Sequence, residues 1–192
     1  MLCKLNEWCT QWKIEINAGK SQVLHFRRKY KKRSEHCFSV GSKVLNYESS
    51  YKYLGVWVNE FCEFSKTEKL LSESAGRALG KIIGKFKGMR NMGYNTYTKL
   101  YNSCVSTILN YGVGVWGAYT NGQISEKIQN RACRVFLGVH KYSANVAING
   151  DMGWNNHRNR QKLDMIRLWN RIITMDNERI TQIFLIGNMT LA

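Results

Sequence analysis

Residues 51–86 read "YKYLGVWVNEFCEFSKTEKLLSESAGRALGKIIGKF", and the pattern changes partway along. As far as Val58 the stretch is rich in β-branched and aromatic residues, which suit a pleated strand. Past Ser65, read as an N-cap, the spacing becomes helical: Leu71, Ala75, Ala78, Leu79, Ile82 and Phe86 recur every three or four residues. Arg77, Lys81 and Lys85 fall on another face of the same helix. This switch predicts an α+β chain with a boundary near residue 64. Residues 1–64 are expected to form a small antiparallel sheet with one helix, and residues 65–192 an all-helical bundle.

Toward the N-terminus, Leu2, Leu5, Trp8, Cys9 and Trp12 have helical spacing, and Lys13-Ile14-Glu15-Ile16 alternates like a strand. Asn17-Ala18-Gly19 reads as a turn, and Gln22 to Phe26 as a further strand. RRKYKKR, residues 27–33, has six basic residues in seven and reads as an exposed loop. Phe38 to Leu45 has the pattern of a hairpin turning at Gly41.

Toward the C-terminus, Tyr97, Leu100, Tyr101, Cys104, Val105, Ile108 and Leu109 make a second stripe, broken by the three glycines of Gly112 to Gly117. Ile124, Ile128, Ala132 and Val135 make a third, beside Lys127, Arg131 and Arg134. A fourth helix is expected from about Asn156 to Met175, with Arg160, Arg167 and Arg171 on one face, and a short fifth after Asp176. The apolar stripes read as core. One basic face alone reads as solvated surface, and three helices each carrying one read as a shared groove.

The totals narrow the partner. The chain has 192 residues, a formal charge of +16 and six Trp, ten Tyr and seven Phe among 44% apolar residues. That is enough for a core, and the charge excess points to an anionic partner, nucleic acid ahead of a membrane surface. No apolar run approaches the length of a membrane helix, and Lys4, Glu7 and Lys13 stand where a signal peptide would be apolar. An intracellular location, nucleus or cytoplasm, is expected.

The cysteines at 3, 9, 37, 62, 104 and 133 form no Cys-x-x-Cys pair, and His36-Cys37 has no second pair at zinc spacing. They read as reduced, mostly buried thiols, so no metal site is expected. His25, His36, His140 and His157 have no Ser or Cys at a nucleophile spacing and are assigned no chemistry.

Gly19-Lys20-Ser21 ends like a phosphate-binding loop, but Ile14 stands where that loop needs its first glycine. Past Ser21 the chain reads as strand, so no helix N-terminus would face a phosphate. The nucleotide-loop reading fails, and no small-molecule cofactor is expected.

"LNEWCTQWKIEINAGKSQVLHFRRK", "FSVGSKVLNYESSYKYLGVWV", "VSTILNYGVGVWG" and "QNRACRVFLGV" succeed one another in an order that resembles the reverse transcriptases of non-LTR retrotransposons. The resemblance starts after the catalytic Asp-Asp hairpin, runs through the rest of the palm into the thumb, and covers nearly the whole chain. Ala18 and Ser106-Thr107 stand where the family often has proline, which suggests a diverged copy.

The resemblance implies that Asn17 to Ser21 is the turn called motif D, in which Lys20 would serve the departing pyrophosphate as proton donor or counter-charge. Tyr53-Leu54-Gly55 resembles motif E, the primer grip, where a glycine lets backbone approach the primer end. The implied partners are RNA and DNA as a primer–template duplex, with Arg77, Lys81, Lys85, Lys127, Arg131 and Arg134 as thumb contacts. Arg27, Arg28 and Lys31 belong to a run with three open readings: a phosphate-contacting loop, a nuclear localisation signal or a solvated loop. The chain holds three aspartates, Asp151, Asp164 and Asp176, and none before them. The Mg²⁺ ligands of the parent enzyme would then lie upstream, and this chain alone would be an inactive fragment. The alternatives are a stand-alone basic RNA- or DNA-binding module and an inert relic of a retroelement.

Overall fold

The computed structural model describes residues 2–17, 19–89, 92–176 and 179. The chain is a mixture of helix and short strands and divides into two compact units, 1–64 and 65–192.

In the first unit, α1 spans Leu2–Gln11. It ends in a closed cap: Lys13 takes φ 54°, its N–H donates to Thr10 O (3.2 Å), and the Ile14 N–H donates to Cys9 O (2.9 Å). That pair of bonds satisfies the last helical carbonyls. It also removes the strand expected at Lys13 to Ile16, because a residue at positive φ cannot continue an extended run. Of the expected apolar stripe, Cys9 is buried, whereas Leu5, Trp8 and Trp12 are 42%, 50% and 62% exposed.

Among the described residues, the expected single antiparallel sheet is instead three two-stranded ladders. β1 (Gln22–Val23) runs parallel to β4 (Asn46–Tyr47), a correction to the all-antiparallel reading. β2 (Ser39–Val40) and β3 (Lys43–Val44) form the hairpin expected at Gly41. β5 (Ser50–Tyr53) pairs with β6 (Val56–Asn59), Tyr53 opposite Val56. YKYLGVWV is therefore strand, turn and strand rather than one strand.

In the second unit, α2 (Ser65–Gly88) packs against α6 (Gln123–Leu137) and against a helix built of α3 (Tyr94–Tyr101), a π turn (Asn102–Ser106) and α4 (Thr107–Leu109). Tyr97, Tyr101, Val105 and Leu109 are all fully buried. A four-residue repeat drifts by about 40° per step on a 3.6-residue helix. The wider π turn takes part of that drift back and keeps the row facing inward. Cys104, expected in this stripe, is turned outward and exposed. Cys3 and Cys37 are exposed as well, so the thiols are not mostly buried, although all six are free.

This helix ends at Leu109 with Asn110 as its cap, and Gly112, at φ 65°, leads into α5 (Val113–Trp116), which lies against α8 (His157–Ile173). Gly114 permits that approach, since a Cβ there would lie 2.6 Å from Leu168 Cδ2. Between α6 and α8, α7 (Asn145–Asp151) joins a core that includes Leu79, Tyr97, Tyr101, Ala132, Ile148 and Trp154. The Tyr101 and Trp154 rings stack at 4.3 Å, and the Tyr97 hydroxyl donates to Ala132 O at 2.9 Å. Buried amides bind α6 to α7: Gln129 Nε2 donates to Asn149 Oδ1 (2.9 Å), and Asn149 Nδ2 to Asn130 Oδ1 (2.9 Å). The short helix expected after Asp176 falls outside the described residues apart from Arg179.

Candidate nucleic-acid interface

Asn17 organises its turn. Its backbone carbonyl accepts from the Lys20 and Ser21 N–H groups at 3.0 and 3.1 Å, and its side-chain Oδ1 accepts a second contact from the Lys20 N–H at 3.2 Å. The Lys20 side chain is exposed, and after Ser21 the chain enters β1 rather than a helix. The local geometry therefore presents one ammonium on a fixed turn, with no row of helix N–H groups to cradle a phosphate.

Tyr53-Leu54-Gly55 sits at the tip of the β5–β6 hairpin, with Leu54 at φ 46° and Gly55 at φ 87°. Two successive left-handed residues match the twist of a tight hairpin, and Gly55 adopts that conformation without a Cβ clash. Leu54 carries strain there, yet its side chain is 72% exposed. Tyr53 is 64% exposed beside it. The tip offers an apolar, aromatic corner with accessible backbone.

RRKYKKR is less open than its composition implies. Glu60, nearly buried, holds Arg27 Nε at 2.9 Å and Arg33 NH2 at 3.0 Å, and Glu63 holds Lys29 Nζ at 2.6 Å. Burial raises the Glu60 carboxyl pKa, but hydrogen bonds and charge from Arg27 and Arg33 outweigh it, and the net shift is downward. The Arg27 guanidinium also lies 4.8 Å from the centre of the Phe61 ring. Arg27 stays in irregular chain but is held by Glu60 and Phe61 rather than standing free. Arg28 and Lys31 remain exposed.

In the helical unit, Arg77, Lys81 and Lys85 are exposed along α2, and Lys127 and Arg131 along α6. Arg134 is half-buried, and its NH2 donates to Ser143 O (2.9 Å) and Asn145 Oδ1 (2.6 Å), so it anchors the segment after α6. Among the α8 cations, Arg171 is exposed, whereas the other two expected on its face have partners. Arg160 donates to Ser106 Oγ at 2.8 Å, and Arg167 pairs with Asp164 at 2.9 Å. Where α6 ends, a cavity of about 460 Å³ gathers Arg131 and Arg134 with Lys87 and Lys141. Lys87 lies two residues beyond Lys85, about 200° round the helix, so it reaches this cavity from a different side of α2 than the Arg77 row.

Against this geometry, the comparisons point one way. The chain is 23% identical over 153 residues to the probable RNA-directed DNA polymerase from transposon BS of Drosophila melanogaster, covering 79% of this chain and 17% of that protein. It is 25% identical over 111 residues to the RNA-directed DNA polymerase from mobile element jockey of Drosophila funebris, covering 58% of this chain and 12% of that protein. With the jockey polymerase of Drosophila melanogaster the identity is 20% over 150 residues, covering 76% and 16%. No family model matches the chain, and no solved structure matches it. The chain is similar to part of the RNA-directed DNA polymerases of mobile elements. It spans 12–17% of the length of these relatives.

Sequence reading by stripes missed Lys87 and Lys141, because neither lies in a helical row of cations. A signal for them existed. Between Glu73 and Asp151 the only acidic residue is Glu126, against ten Lys and Arg at 77, 81, 85, 87, 90, 99, 127, 131, 134 and 141. So one-sided a stretch marks an electropositive region even where no periodicity does.

Proposed function

We propose that this chain is a segment of a retrotransposon reverse transcriptase, the end of its palm followed by its thumb, and that it holds a primer–template duplex by the phosphates. The observation that carries this reading is the similarity to RNA-directed DNA polymerases over 79% of the chain. The exposed cations of α2 and α6 supply the phosphate contacts. On the same reading the Tyr53-Leu54-Gly55 tip approaches the primer end, and Lys20 serves the leaving pyrophosphate.

Nucleotidyl transfer by polymerases uses two metal ions held by paired carboxylates. Among the described residues no three His, Cys, Asp or Glu side chains gather to hold a metal ion, and Asp164 is already paired with Arg167. The donor set does not fit such a pair, and on this reading the ions belong to residues of the parent enzyme outside this chain.

The test is the salt dependence of duplex binding. Each phosphate contact contributes about −0.9 to the slope of log affinity against log salt on B-DNA. With Arg77, Lys81, Lys85, Lys127 and Arg131 engaged, the slope should be roughly −5. Replacing Arg77, Lys81 and Lys85 together by Ala should reduce its magnitude by about 2 to 3, more than replacing exposed Lys4, Lys52 and Lys162. A wild-type slope near zero would sink the reading.

A further inference from the structure

We propose that the cavity at the end of α6, with the His140–Ser143 turn beside it, binds an unpaired nucleotide of single-stranded RNA or DNA. The phosphate would lie against Lys87, Arg131 and Lys141, and the base on the ring of Tyr142. This extends the nucleic-acid reading above, which concerns duplex phosphates, to an adjoining site for a single strand that shares Arg131 with the duplex row.

The turn is a built platform. α6 ends at Gly138, φ 66°, and the Val139 N–H donates back to Arg134 O at 3.2 Å. The Ser143 N–H donates to His140 O at 3.0 Å, and the Arg134 guanidinium holds Ser143 O from the other side at 2.9 Å. Within this frame Tyr142 is 79% exposed, although it is a large aromatic side chain. The His140 ring lies 5.1 Å from its ring centre, and the Lys141 ammonium 4.8 Å from it. The ring has an imidazole tilted against it and an ammonium near it and is otherwise open, so its orientation is restricted and the entropy cost of stacking a ligand upon it is lowered.

The cavity next to it supplies the second half. Lys87, Arg131, Arg134 and Lys141 stand with Val135 and Val139 along an open cavity of about 460 Å³. From residue 127 to residue 150 the chain contains no Asp or Glu to offset them. An anion with a flat π face beside it meets both features at once, and a nucleotide is that combination. Paired bases keep their faces stacked inside the duplex, whereas an unpaired base has a face to give, so the exposed ring selects a single strand. Arg134 acts here by position, since its NH2 is spent on the turn. Lys87, Arg131 and Lys141 make the charge.

The experiment measures binding of the 192-residue chain to a labelled oligo(dT) 12-mer and to a blunt duplex of equal length by fluorescence anisotropy across a salt series. The single strand should bind with a slope near −2, from three contacts at about −0.7 each. Tyr142→Ala should weaken single-strand binding about tenfold, the loss of one stacked base, and leave duplex affinity within about twofold. Tyr142→Phe keeps the ring and should stay within about twofold on both ligands, which separates stacking from any loss of fold. Lys87→Ala with Lys141→Ala should flatten the single-strand slope by about 1.4.

Single-strand affinity unchanged in Tyr142→Ala, an equal loss on single strand and duplex, or displacement by poly-glutamate as effective as by oligo(dT) would each overturn the proposal. A duplex slope near zero alongside a Tyr142-dependent single-strand complex would overturn the duplex reading and uphold this one.

Discussion

At the scale of the single residue, His157 ties stability to pH. It opens α8 fully buried, and neither ring nitrogen has a hydrogen-bond partner. Burial, reinforced by the charge of Arg160 and opposed by Asp164, pushes its pKa down from 6.5 to about 4. Between those values the unfolded chain binds a proton that the folded chain refuses, so stability rises with pH across that window. The contribution of His157 should be complete above about pH 6.5 and be lost as the pH falls toward 4, by on the order of 3 kcal/mol in all. Denaturant melts at pH 7, 5.5 and 4.5 measure it. His157→Leu removes the titrating group and should flatten the trend, and an unchanged trend would assign it elsewhere. The absence of a nucleophile partner was legible in the sequence. The burial was not, because nothing in the residues around position 157 says that they lie beneath neighbouring elements.

At the scale of elements, the contact between α5 and α8 is set by a missing side chain. A Cβ on Gly114 would meet Leu168 Cδ2 at 2.6 Å and Leu168 Cβ at 3.0 Å, so the Leu168 side chain or the helix that carries it must shift to make room. Gly114→Ala should destabilise the helical unit by about 1–3 kcal/mol, the usual cost of overpacking. Thermal or denaturant unfolding measures this, and pairing it with Leu168→Ala should recover part of the loss. A neutral Gly114→Ala would show that the helices separate freely. The sequence announced a break between Gly112 and Gly117; the helix stops just ahead of it, at Leu109, and Gly112 starts α5. It did not announce the second use of glycine, which depends on Leu168, far along the chain. The β5–β6 hairpin was hidden for a related reason. Its turn is Leu54-Gly55 rather than the Asn-Gly pair that marks such turns.

At the scale of the whole molecule, a charge of +16 coexists with internal neutralisation in some places and open rows in others. Glu60 and Glu63 tie down three of the six cations of RRKYKKR, whereas the region from 74 to 150 carries Glu126 alone among acids. Chemistry and binding should therefore separate. The 192-residue chain should extend no primer with Mg²⁺ or Mn²⁺ under conditions in which it binds duplex, and template-dependent incorporation by the pure protein would refute this. Joined to a complete catalytic domain, Lys20→Ala should slow nucleotide addition by about 10²- to 10⁴-fold with little change in duplex affinity, as expected for loss of a general acid.

The sequence alone determined what neighbours along the chain decide. Helical stripes such as Ala75, Leu79 and Ile82 are buried as their spacing predicts, and the Gly41 hairpin turns where its glycine stands. Spacing of three or four residues is a local property, written in each segment separately. Tertiary structure decided everything that depends on partners distant in sequence. It set the parallel pairing of Gln22 with Asn46, the burial of Gln129 and Asn149 in one amide network, and the capture of Arg27 by Glu60. It also brought Lys87 to Arg131 and Lys141 at one cavity. A cation's role depends on whether a carboxylate or open solvent faces it, and that is settled only when the segments pack.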